Sequence, residues 1–165
     1  KIWCKSQKDF GSSFYFSLPN PYLNINRVAK PFPIVSQKAG DTIKILIAED
    51  EPDNFFYLQT VLKIHTYSTV FHATNGEHAI ELVHNNPDLF IVLMDLKMPF
   101  KDGLEATRLL RDCGYSMPII AITAHAGSED NNHALQAGSN DFVTKPINRE
   151  TLLKTLESNG VLIRR

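Results

Sequence analysis

LFIVLMDLKMPFKDG, residues Leu89–Gly103, opens with six apolar residues, Leu89 to Met94, and turns polar at Asp95. The run is too short for a typical helix and rich in β-formers, so it predicts a strand buried on both faces. A carboxylate at the carboxyl end of a buried parallel strand sits where open α/β sheets bind their ligands. Met98-Pro99 breaks the chain, and Gly103 supplies a permissive backbone before the next helix. Taken alone, Asp95 reads equally well as the cap of that helix.

Three more polar positions stand at the ends of predicted strands. Glu49-Asp50 follows Ile43–Ala48, Thr123 follows Pro118–Ile122, and Lys145 follows Asp141–Thr144. Between them the pattern alternates strand and helix, which predicts a parallel sheet with helices on both faces. Expected helices run from Pro52 to about His65, from Gly76 through Val83, from Leu104 to Cys113, from Ser128 to Ala137, and from Asn148 to about Ser158. Expected strands between them are Tyr67–Ala73 and Met117–Thr123, beside those already named. On the first helix, Phe55, Leu58, Val61, Leu62 and His65 form the apolar stripe, with Phe56 and Tyr57 nearer the polar side.

Composition narrows the function classes. The chain has 165 residues, 43% of them apolar, and a formal net charge of −1. One domain with an appendage is expected. No Lys/Arg-rich run suggests nucleic-acid binding or a polybasic membrane anchor. The two cysteines, Cys4 and Cys113, lie far apart and make no metal-ligand spacing, in keeping with a reducing compartment. No apolar run reaches the ~18 residues that span a bilayer, and no signal peptide is visible. A cytoplasmic fragment is expected, compatible with an inner-membrane anchor elsewhere in its parent. The opening KIWCKS has no initiator Met, which points to a longer parent.

The set IAED…LMDLKMPFKDG…AITA…FVTKP resembles the receiver domains of two-component phosphorelay signalling, over about Thr42 to Leu156. The resemblance implies a flavodoxin-like (βα)5 fold, a doubly wound parallel α/β sheet in the order 2-1-3-4-5. That order would set Glu49, Asp50 and Asp95 side by side. Three neighbouring carboxylates repel one another unless a counter-ion intervenes, and a hard divalent cation with oxygen ligands fits. Mg2+ is therefore expected at Asp50 and Asp95, with Glu49 acting directly or through water. By resemblance, the carbonyl of Lys97 is a further ligand.

The resemblance makes Asp95 the nucleophile, attacking phosphorus held on a partner's histidine. The Lys145 ammonium would neutralise phosphoryl oxygens and the Thr123 hydroxyl would donate to one of them. Family members show a cis bond where Lys145 meets Pro146. Thr123 and Phe142 are the expected switch pair, biasing the face of the fourth helix, fifth strand and fifth helix. Lys97 and His125 would flank the site and influence the rate at which water removes the phosphate. Asn54, Tyr57 and Val61, on one edge of the first helix, are the expected docking residues.

Lys1–Pro19 shows a second pattern. Ile2 and Cys4 alternate with Trp3 and Lys5. After a turn near Lys8–Gly11, Phe14, Phe16 and Leu18 alternate with Ser13, Tyr15 and Ser17. This predicts a two-strand hairpin. KIWCKSQKDFGSSFYFSLP also resembles the last two strands of the ATP-binding domain of sensor histidine kinases. An unrelated β-extension is the alternative. None of that domain's glycine or asparagine motifs is present, so this chain is not expected to bind ATP. Proline-rich residues follow as a linker. The expected organisation is a hairpin at 1–19, a linker at 20–41, a receiver at 42–160 and a tail at 161–165.

The expected function is a phosphorelay receiver within a hybrid sensor histidine kinase. Its chemistry is its own phosphorylation and dephosphorylation, and its partners are the histidine-containing dimerisation domain of that kinase or a histidine phosphotransfer protein. The chain ends soon after the fifth helix, so no DNA-binding domain is expected. The alternatives are a stand-alone shuttle receiver and a pseudo-receiver that only binds partners. A phosphatase with an aspartyl intermediate would want a second carboxylate two residues after Asp95, where Lys97 stands.

Overall fold

The computed structural model describes residues 2–7, 11–16, 41–124 and 128–164, with the backbone alone for 2–7, 11–16 and 128–130. Strands β1 (Ile2–Gln7) and β2 (Gly11–Phe16) pair antiparallel, Ile2 opposite Phe16 and Gln7 opposite Gly11. The expected hairpin is therefore formed. Its turn at 8–10 and the linker up to residue 40 lie outside the described residues, as does His125.

From Ile43 the chain alternates as the pattern requires: β3 (Ile43–Ala48), α1 (Pro52–His65), β4 (Ser68–Ala73), α2 (Gly76–Asn85), β5 (Leu89–Asp95), α3 (Gly103–Asp112), β6 (Ile119–Thr123), α4 (Ser128–Gln136), β7 (Asp141–Thr144) and α5 (Arg149–Ser158). The five strands from β3 onward form one parallel sheet in the order β4-β3-β5-β6-β7, which is 2-1-3-4-5 counted within that sheet. Because all five run the same way, their carboxyl ends share one edge.

Alternate strand residues point to opposite faces, and each face has its own core. Ile43, Ile45 and Ile47 of β3 pack with Phe55, Leu58 and Leu62 of α1 and with Leu152 and Leu156 of α5. Leu46 and Ala48 face Ile80 and Val83 of α2 and Ala106 and Leu110 of α3. β5 serves both, with Ile91 and Leu93 on one side and Val92 and Met94 on the other. Burying each such side chain stabilises by about 1.5–3 kcal/mol. This is why an uninterrupted apolar run suits a central strand.

Helix starts follow local chemistry. Pro52 occupies the first turn of α1. Asn75 caps α2 through His78 N–H, and Asn148 caps α5 through Glu150 and Thr151 N–H. The cap of α3 is Asp102, whose Oδ1 accepts from Glu105 N–H at 2.7 Å. Asp95 is thereby excluded as that cap.

Four expectations need correction. Val61, expected both in the apolar stripe and at the docking edge, is buried in the core (5% exposed) with the stripe and offers no docking surface. Gly103 is the first residue of α3, and close approach, rather than a left-handed conformation, is its reason: a Cβ there would lie 2.0 Å from the Asp95 carbonyl oxygen. β6 begins at Ile119 because Pro118 has no N–H to enter the ladder, although its carbonyl accepts from Val92 N–H. Residues 161–164 are integral rather than a loose tail. Val161 is 1% exposed, and Arg164 N–H donates to the His65 carbonyl at 2.7 Å.

Candidate functional site

The sheet's carboxyl edge gathers the residues that the sequence dispersed. β3 delivers Glu49 and Asp50, β5 ends on Asp95, β6 ends on Thr123, and β7 hands on to Lys145. Glu49, Asp95 and Thr123 are buried, while Asp50 and Lys145 are half-buried. Oxygens of Glu49, Asp50 and Asp95, one from each, lie within 4.8 Å of one another.

Lys145 sits between two of these acids. Its Nζ is 2.6 Å from Asp95 Oδ2, 2.8 Å from Glu49 Oε2 and 3.1 Å from Glu49 Oε1. The peptide bond between Lys145 and Pro146 is cis. The other oxygen of Asp95, Oδ1, accepts from Lys97 N–H at 3.0 Å. Glu49 Oε1 also accepts from Glu51 N–H at 3.2 Å and Asn54 Nδ2 at 3.3 Å. Asn54, expected as a docking residue, is half-buried and donates to the acid cluster.

The electrostatics are unbalanced. Three carboxylates face one ammonium. Burial raises the Glu49 pKa above its ordinary value and the neighbouring Asp95 charge adds to the rise, only partly offset by Lys145 and Asn54. At Lys145 burial acts to lower the pKa. Its hydrogen bonds and charge interactions with Asp95 and Glu49 outweigh that, and the net shift is upward. Lys145 is therefore held as a cation, and the acids around it still lack compensation.

A cleft of about 500 Å³ opens over this edge. Asp50, Lys97, Pro99, Asp102 and Thr123 line it. The chain from Leu96 to Asp102 forms the wall. Leu96 and Met98 are buried and anchor it, whereas Lys97 is exposed. Phe142, the expected switch aromatic, is half-buried against Leu96, Ala121 and Ala134.

One site residue escaped the sequence reading. His72, near the end of β4, places Nε2 2.9 Å from the Glu49 carbonyl and stacks on Phe55 with ring centroids 3.6 Å apart. It fixes the main chain that carries Glu49. The only sequence signal was a histidine in an otherwise unremarkable edge strand.

The family model for the response regulator receiver domain matches residues 45–157. This chain belongs to the response regulator receiver family. It is 36% identical over 123 residues to hybrid signal transduction histidine kinase I of Dictyostelium discoideum, covering 70% of this chain and 7% of that protein. It is 37% identical over 116 residues to the two-component response regulator ORR41 of Oryza sativa subsp. japonica, covering 69% of this chain and 91% of that protein. Among solved structures it is similar to the co-crystal structure of the Saccharomyces cerevisiae histidine phosphotransfer protein Ypd1 with the receiver domain of its response regulator Ssk1. There the TM-score is 0.68 with 30% identity, covering 72% of this chain and 89% of the matched one. Of four long curated relatives that it matches, the receiver spans only 7–17%. No helix among the described residues is long and apolar enough to cross a membrane.

Proposed function

We propose that this receiver accepts a phosphoryl group from a phosphohistidine onto Asp95 in a Mg2+-dependent reaction, as one part of a hybrid sensor histidine kinase. The observation that carries the reading is the Asp95 carboxylate held at 2.6 Å by the Lys145 ammonium inside a cluster of three acids. Structural ion pairs alone do not call for a third, uncompensated carboxylate.

The acid set fits a hard divalent cation: oxygen donors from three side chains, with Glu49 buried and its pKa raised. Glu49, Asp50 and Asp95 would hold it, with the Lys97 carbonyl as the family's further ligand. When bound, Mg2+ supplies neutralising charge to the phosphoryl oxygens.

In the transfer, one Asp95 oxygen forms a bond to phosphorus while the phosphorus–nitrogen bond of the donor breaks. The electron pair stays on the imidazole nitrogen, which takes up a proton. Lys145 supplies positive charge next to the oxygens of the transferred group, and Lys97 N–H orients the nucleophile. Thr123 donates its hydroxyl to a phosphoryl oxygen, and Phe142 follows it inward to bias the face of α4, β7 and α5. Partners reach the site across the outer side of α1, where Phe56 and Tyr57 are exposed. The parent's dimerisation domain or a histidine phosphotransfer protein fills that role. β1 and β2 are read as the last strands of the parent's ATP-binding domain.

A stand-alone receiver is the second reading. It is favoured by the 91% coverage of the rice response regulator. The sequence of the intact gene upstream of Lys1 separates the two.

Intact-mass spectrometry after treatment with acetyl phosphate tests the chemistry. Wild type with Mg2+ gains one alkali-labile phosphoryl group, while Asp95→Asn, or wild type in a chelator, gains none. A folded wild type that stays unlabelled with every small donor refutes the proposal.

A further inference from the structure

The wall of the cleft carries an anomaly at Phe100. It is the most exposed large apolar side chain among the described residues, at 95%. Its φ is +65°, the one positive φ outside glycine among those residues. The turn is closed by Lys101 N–H donating to the Pro99 carbonyl at 2.8 Å, a three-residue turn centred on a left-handed residue. Turns of that kind are rare and strained, and a bulky L-residue is among the poorest choices for one.

The loop does not need phenylalanine to hold its shape. Leu96 and Met98 are buried anchors on one side. On the other, Gly76 N–H donates to the Lys101 carbonyl at 2.9 Å, and Gly103 N–H donates to that of Leu96 at 3.1 Å. Gly76 and Gly103 pack too closely to tolerate a Cβ, with Lys101 O at 2.7 Å and Asp95 O at 2.0 Å from where one would stand. These contacts over-determine the turn. Glycine at position 100 would satisfy it without strain and without exposing a ring. The benefit of Phe100 therefore lies outside the folded chain.

Access to the nucleophile says what meets it. Asp95 and Thr123 are 3% and 2% exposed, and Thr123 lines the cleft beside Asp50, so a phosphoryl donor comes to the nucleophile from that side. Phe100 lies in the loop forming its wall, between Pro99 and Asp102, both of which line it. A protein presenting phosphohistidine to Asp95 lies across this rim.

We propose that Phe100 is a specificity-determining anchor for the phosphohistidine-bearing protein, held outward by its left-handed turn to enter an apolar socket beside that histidine. The proposal rests on the phosphotransfer reading above. Aromatic residues that become fully desolvated at the centre of an interface are the usual sites of large binding contributions. A preset backbone also spares the partner the ordering of this loop.

The test compares a protein donor with a small one that shares its leaving group. Wild type, Phe100→Gly and Phe100→Tyr are loaded with Mg2+ from phosphoimidazole, and from a panel of phosphorylated histidine phosphotransfer proteins that includes yeast Ypd1. Phe100→Gly should melt at a higher temperature and load from phosphoimidazole at the wild-type rate. Its transfer from the best protein donor should fall about tenfold or more, with Phe100→Tyr retaining most of the rate. Unchanged transfer to Phe100→Gly overturns the anchor, as does an equal loss with both donors. Loading by phosphoimidazole with no transfer from any protein also overturns it while leaving Asp95 as phosphoacceptor. Failure of phosphoimidazole on wild type refutes the phosphotransfer reading instead.

Discussion

Gly103 lies against the main chain of Asp95 so closely that a Cβ would stand 2.0 Å from its carbonyl oxygen and 2.8 Å from its carbonyl carbon. The first residue of α3 is thus packed on the backbone of the proposed nucleophile. The two nearest atoms are backbone, with Met94 Cγ next at 3.0 Å, so the clash cannot be relieved cheaply. Gly103→Ala should lower unfolding stability by about 2–3 kcal/mol, the upper range for overpacking. It should also slow loading from acetyl phosphate because Asp95 is displaced. Urea titration and a loading time course on the folded fraction check both. A variant as stable as wild type would show that α3 has room to move.

Among the described residues, Lys145 is the one ammonium shown within 3.1 Å of both Glu49 and Asp95. Lys145→Met removes the charge and retains much of the stem. Loading should slow about 10²–10³-fold, as when a preorganised charge-stabilising donor is lost. Stability in a chelator should also fall, because two buried carboxylates lose their partner. Added Mg2+ should restore stability far more than rate, since the cation and Lys145 meet different needs of the transferred group. Recovery of the full rate by Mg2+ would assign Lys145 a purely structural task.

Glu49 gives a pH signature. Burial, together with the Asp95 charge, places its folded-state pKa above the ordinary 4.5. The native state then binds that proton more tightly than the unfolded chain, and stability falls as pH rises from the ordinary value through the folded one. Glu49→Gln cannot ionise and escapes this loss. In a chelator, the melting temperature of Glu49→Gln relative to wild type should therefore climb with pH across that window and then level off. Mg2+ should narrow the gap by stabilising the native wild type. A gap that is constant or shrinks with rising pH would contradict the raised pKa.

The sheet was legible because its strands are short apolar runs ending in polar residues, and Leu89–Asp95 is the clearest. Strand order was not. Periodicity says that β3 and β5 are buried, but their adjacency came from the family resemblance. The acids and Lys145 were legible for the same reason, each standing just past a strand whose direction the βα alternation determines. Val61 stands in the expected apolar stripe and was assigned to its docking edge as well; a helical wheel does not say that the core takes in that edge completely. Asn54 lies beside it on that wheel, yet turns inward to Glu49. Residues 161–164 looked like a tail because four residues have no usable period, although Val161 fills the end of the α1–α5 core. His72 and Phe100 depend on tertiary geometry, a ring meeting a distant carbonyl and a backbone angle. Neither leaves a local pattern.

The proposed function turns on one bond, an acyl phosphate on Asp95. The most direct measurement is borohydride reduction after loading with a small phosphodonor and Mg2+, followed by peptide sequencing in a mass spectrometer. Reduction converts an aspartyl phosphate to homoserine and marks the acceptor position. Homoserine should appear at position 95 and be absent in a chelator and in unloaded protein. Homoserine at position 50 or elsewhere, or none in a sample whose intact mass shows phosphate, would contradict the proposed function.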